Sequence, residues 1–147
     1  MTGDNLPDDH HIARYVKPSL VEDETVDGSA FLRRPNEEGL SVNWLEAFGY
    51  DDEDRQLSEV RRLFRLRLSR NGRFAKLNVG ATKRYVSEIV EELGIIEKPC
   101  PPTDKFDADP SHAEISGVPP GESDEAMLIG DLLADCVIYP LHPGRTD

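Results

Sequence analysis

The stretch "VRRLFRLRLSRNGRFAKLNVG", residues 60–80, decides how the chain is read. Its first half, Leu63 to Ser69, alternates apolar and polar side chains with the period of a half-buried strand. Asn71-Gly72 follows, the strongest short signal for a two-residue hairpin turn. With that turn Arg70 faces Arg73, Leu68 meets Ala75, Arg67 meets Lys76, and Leu66 meets Leu77. Strand alternation then predicts Phe64, Leu66, Leu68, Ala75, Leu77 and Val79 on an inner face, with Arg65, Arg67 and Lys76 outside.

The same stretch holds seven Lys or Arg in a chain of net charge −12. From Arg55 to Arg84 ten Lys or Arg stand against the single acid Glu59, or 10 − 1 = +9, so the other residues carry 7 − 28 = −21. Such asymmetry marks the segment as a candidate binding surface. Like charges facing across a ladder repel, so Arg67 opposite Lys76 needs either acids folded against it or a use. The set Arg65, Arg67, Arg70, Arg73 and Lys76 is therefore the candidate docking face. An acidic protein surface, or the acidic surface of a second copy, is the partner that it suits. Nucleic acid is disfavoured, because the average surface repels it and only Phe74 offers a ring for base stacking.

Outward from this stretch, 147 residues predict one domain. Residues 1–9 read as a flexible acidic N-terminus, and 10–147 as a single α+β domain. "HIARYVKP" (11–18) is a strand ending before Pro18. "SAFLRRP" and "GLSVNWLEAFG" are two more, reversing across "PNEEG" (35–39), with Trp44 and Phe48 as core anchors. Asp51–Asp54 open a short helix, where carboxylates complement the positive end of the dipole. Leu57, Val60 and Phe64 or Leu63 continue it at helical spacing. "GATKRYVSEIVEELG" is a second helix capped by Thr82, with Tyr85, Val86, Ile89, Val90 and Leu93 on its buried stripe and Gly94 as its stop. "IIEKP" and "HAEISGV" are short strands. A last helix, capped by Ser123, runs on toward Pro140. The expected fold is α+β, a mostly antiparallel sheet built from hairpins with about three helices packed on it.

No apolar run approaches the roughly 20 residues of a spanning helix, and residues 1–10 lack a signal-peptide pattern. With only Cys100 and Cys136, a disulfide framework is excluded and the cytoplasm is the expected compartment. No P-loop, dinucleotide fingerprint, zincin motif or nucleophile elbow is present. His112-Ala-Glu114 forms H-x-E, but a zinc deaminase also needs P-C-x-x-C downstream, and here "PCPP" (99–102) lies upstream with one cysteine. No metal or cofactor is expected.

Two resemblances bear on function. Arg14 on the first strand, Ser41 opening "SVNW" and Glu114 in "HAE" give an Arg–Ser–Glu order that resembles ADP-ribosyltransferases. The chain reads Ser-Val-Asn and His-Ala-Glu where that family has Ser-Thr-Ser and Glu-x-Glu. The resemblance implies an alternative, a nucleotide-dependent transferase or hydrolase using Arg14, Ser41, His112 and Glu114. Separately, Asp27–Phe31, Leu40–Asn43 and Asp109–Gly117 resemble a group of short bacterial hypothetical proteins to which no activity is attached. That pattern suggests a polar cluster of Ser29, Ser41, Asn43 and His112 near one end of the sheet. The leading expectation is a non-enzymatic binding or accessory protein.

Overall fold

Strand β5 (Arg73–Asn78) forms, but without the partner that its turn announces. In the computed structural model, which describes residues 3–34, 37, 39–90 and 93–146, residues 64–72 are irregular. Both edges of β5 are already taken. Strand β1 (His11–Val16) pairs with it from His11↔Asn78 to Val16↔Arg73. Strand β8 (Ile138–Pro143) takes the other side, through Phe74↔His142 and Lys76↔Ile138. A hairpin arm at 64–70 has no edge left to occupy, so the expected hairpin and its register are overturned. Phe64 and Leu68 instead dip toward the core, while Leu66 between them points out and is 52% exposed.

The elements among the described residues make an α+β fold. They include β2 (Val21–Glu22), β3 (Thr25–Val26), β4 (Leu40–Trp44), β6 (Gly94–Glu97) and β7 (His112–Ser116). The helices are α1 (Glu53–Leu63), α2 (Val79–Ser87) and α3 (Asp124–Asp135). Six strands join in one antiparallel sheet, in the order β6-β7-β4-β1-β5-β8, and β2 and β3 pair apart from it. No helix among the described residues is long and apolar enough to cross a membrane.

Burial alternates along the strands, so each sheet face has its own core. One face carries Ile12, Val16, Leu40, Val42, Ala75, Leu77, Ala113 and Ile115 and packs with Val86 of α2 and Ile129 and Leu133 of α3. The other carries Ala13 and Phe74, covered by Leu57 and Val60 of α1 and by Leu45. There Tyr15, Phe64 and Phe74 form an aromatic trio with centroids 5.4–5.6 Å apart. On this second face α1 covers β1 and β5 and reaches β8 through Glu53 beside His142 and Arg61 on Pro143 O. Across β4 and β7 the cover is irregular chain, residues 64–66 and 100–109, and a cleft remains there.

Local signals account for the helix ends. Asp52 caps α1 by accepting from Asp54 N at 3.0 Å, and Glu53 and Asp54 fill its first turn. Ser123 caps α3 through Ala126 N at 3.2 Å. For α2 the cap is Asn78, which accepts from Ala81 N at 2.8 Å, so the helix starts before Thr82, which lies buried within it. Tyr85 and Ile89 are exposed rather than core, and Gly94 opens β6. The third helix ends at Asp135, short of Pro140, which belongs to β8. Residues 28–31 form a 3-10 turn rather than a strand, and the reversal expected across 35–39 falls partly outside the described residues. Trp44 and Phe48 are half-buried; Phe31 and Phe74 are the aromatic rings wholly inside. Residues 3–6, expected to fray, run alongside β6: Leu6 N donates to Ile95 O at 2.9 Å and Leu6 is buried.

Candidate functional site

The cleft on the second face encloses about 190 Å³. It exists because β4 drifts from β1 beyond the pair Ala13↔Asn43. Arg14, next in β1, fills the opened ladder. Its Nη1 donates to Ser41 O at 2.6 Å, its Nε to Ala30 O at 3.0 Å and its Nη2 to Leu32 O at 3.3 Å. Glu37 stands 3.5 Å from Nη1. Burial pushes the Arg14 guanidinium down to about 10, with the Glu37 charge opposing the fall. Burial would raise the Glu37 carboxyl, but bonds from Arg34 and Ser41 and the Arg14 charge outweigh it and hold it below its ordinary range.

The cleft floor is the ladder between β4 and β7. Asn43 pairs with His112 and Ser41 with Glu114, so all four leave the sheet on one face. Ser41 and His112 are diagonal neighbours, with His112 Nε2 3.3 Å from Ser41 Oγ. His112 Nδ1 lies 2.8 Å from Lys98 O. Asn43 Nδ2 donates to Ser111 Oγ at 2.9 Å and faces Asp109 at 3.4 Å, and Asp109 accepts from both Ser111 N and Ser111 Oγ. Asn43, Asp109 and Ser111 are buried and mutually satisfied, which fixes the loop that delivers His112.

The expected polar cluster is thus brought together in part. Arg14, Ser41, Asn43 and His112 line one cleft. Ser29 does not: it lies beyond Arg14 in a separate depression with Lys17, Leu20 and Arg67. The Arg–Ser–Glu set also separates. Ala13 shares a face with Asn43, so Arg14, its neighbour, is rooted on the opposite face from Glu114. Glu114 accepts instead from Lys98 Nζ at 3.2 Å. Sequence reading missed Arg34, Tyr15, Phe64, Cys100 and Asp109 as cleft-lining residues. Of these, Asp109 alone lay in a segment that carried a resemblance, Asp109–Gly117.

The basic residues do not share the flat face that a hairpin would give them. Arg65 Nη2 donates to Pro101 O at 2.8 Å and Asp107 O at 3.0 Å, and its guanidinium lies 5.4 Å from the Phe106 ring centroid. Arg73 pairs with Glu24 at 3.1 Å, and Lys76 pairs with Glu53. Arg67 and Arg70 are exposed, with no side-chain ion pair among the described residues. The other histidines are engaged separately: His10 accepts from Trp44 Nε1 at 3.0 Å, His11 meets Glu46 at 2.7 Å, and His142 lies 3.6 Å from Glu53. Among the described residues no three His, Cys, Asp or Glu are placed to hold a metal ion. Cys100 and Cys136 are free thiols, both pushed up by burial and so held in the less reactive protonated form. Compared with protein-family models, curated proteins and solved structures, the chain matches none of them.

Proposed function

We propose that the protein is a binding protein that engages an acidic partner through the basic surface around Leu66. The observation that carries this reading is Leu66 itself, 52% exposed where three depressions meet. Their walls hold Lys17, Arg34, Arg61, Arg62, Arg65 and Arg67. An apolar centre rimmed by guanidinium groups suits a segment with a leucine or phenylalanine flanked by carboxylates. Of the residues expected to form a hairpin face, Arg65 and Arg67 line these walls, while Arg73 and Lys76 are paired with acids. A net charge of −12 disfavours nucleic acid as the occupant. Two free thiols fit a reducing compartment such as the cytoplasm.

The test is fluorescence anisotropy with a labelled peptide carrying one leucine among Asp and Glu, beside a control with Asn and Gln in their place. Affinity for the acidic peptide is expected to fall at least tenfold in L66D and in the double variant R67E/R70E, and to weaken as salt rises from 50 to 300 mM. Equal binding of the neutral control, or full affinity in both variants, would overturn the reading. Self-association through the same surface would appear as concentration-dependent sedimentation that both variants abolish.

A further inference from the structure

From the Ser41–His112 pair we infer a nucleophilic hydrolase site for small esters that carry a negative charge on the acyl part. A backbone carbonyl can only accept, so the Lys98 O contact at 2.8 Å requires the proton of neutral His112 to sit on Nδ1. That leaves the Nε2 lone pair facing Ser41 Oγ at 3.3 Å, within the looser range of unliganded nucleophile–base pairs. Ordinary serine–histidine contacts on a surface lack the rest of the setting found here. Ser41 is held through its backbone at both ends, its N–H donating to Glu37 at 3.1 Å and its carbonyl accepting from buried Arg14 at 2.6 Å. His112 is held from behind by the carbonyl. Both residues line one cleft, whose other walls hold Arg34 and Arg65 for an anion and Tyr15, Phe64 and Leu66 for a short apolar portion.

The chemistry closes without a cofactor. Ser41 Oγ bonds to the ester carbonyl carbon while His112 Nε2 takes the hydroxyl proton. The tetrahedral oxyanion forms in a cleft whose cations are Arg14, Arg34 and Arg65. The bond to the leaving alcohol breaks, and the alcohol departs with the proton from His112. Water, deprotonated by the same nitrogen, attacks the acyl-serine and releases the carboxylic acid. The sum is ester plus water to acid plus alcohol, with Ser41 and His112 restored. This site goes beyond the docking surface, with which it shares Arg34, Arg65 and Leu66, and the variants at Ser41 and His112 test it separately.

Two probes test it on the intact chain. A fluorophosphonate is expected to label Ser41, located by peptide mapping, with labelling at least tenfold slower in H112Q. The 4-nitrophenyl monoester of succinic acid is expected to hydrolyse faster than 4-nitrophenyl acetate. Its turnover should be lost in S41A and H112Q. Thermal unfolding of each variant separates loss of chemistry from loss of fold, and S41A removes one oxygen only. Absence of both the label on Ser41 and ester turnover above that of S41A overturns the inference. Labelling at an unchanged rate in a folded H112Q overturns it equally.

Discussion

Arg14 is a buried cation answered mainly by three carbonyls and, more distantly, by one carboxylate, so its removal strands several acceptors at once. Breaking such a set by deleting one partner typically costs about 3–5 kcal/mol. R14M is expected to lose that much, measured by urea unfolding, and R14M/E37Q less than the sum of the two single changes. Glu37 also gives stability a pH dependence. Its folded carboxyl titrates below the ordinary 4.5, so its contribution is complete above that pH and is lost as pH falls through the lower folded value. Urea midpoints of the wild type and E37Q should therefore differ by a constant amount above about pH 5, and the difference should shrink as pH falls into the acid range. Gly72 owes its place to crowding rather than to a hairpin. A Cβ there would come within 2.7 Å of the Tyr15 ring, whose hydroxyl accepts from Ser69 N at 2.7 Å. G72A is expected to cost about 1–3 kcal/mol, the usual penalty of overpacking, by the same unfolding measurement.

At the scale of elements, Asn78 both ends β5 and starts α2, donating to His10 O at 3.3 Å and accepting from Ala81 N. N78A is expected to lose about 1 kcal/mol and N78D most of that loss to regain, read from thermal unfolding. Thr82 looked like the cap because it begins an amphipathic stretch after Gly80. The competing signal, Asn78 at the end of a strand, was hidden by the register assigned to the hairpin. That hairpin shows why pattern alone ran out: alternation at 63–69 and an Asn-Gly turn are local facts, whereas the freedom of an edge of β5 is settled by β1 and β8. Helices α1 and α3 were legible because Asp52 and Ser123 sit immediately before their apolar periods. Ser41, Asn43 and His112 were grouped by the resemblance at Leu40–Asn43 and Asp109–Gly117, and β4 pairs with β7 so that they share a face. Ser29 could not be placed, since the turn at 28–31 leaves the sheet altogether.

For the whole molecule, the basic segment is folded against the acidic remainder through exposed or half-exposed pairs: Arg62 with Asp107, Arg73 with Glu24, Lys76 with Glu53 and Lys83 with Asp8. Pairs of this kind contribute little individually and are screened by salt. Raising sodium chloride to 0.5 M is expected to move folding stability by less than about 1 kcal/mol, while binding of an acidic peptide falls steeply; calorimetry and anisotropy on one sample distinguish the two responses. Arg65 sets how the cleft can respond. It spans from one margin to the carbonyls of Pro101 and Asp107 on the other and lies over Phe106. With Arg62 beside Asp107 it fastens the two banks, so a visitor larger than the resting space must loosen these contacts and lift the ring together. The reach of Arg65 therefore sets the width of the cleft mouth between its two margins.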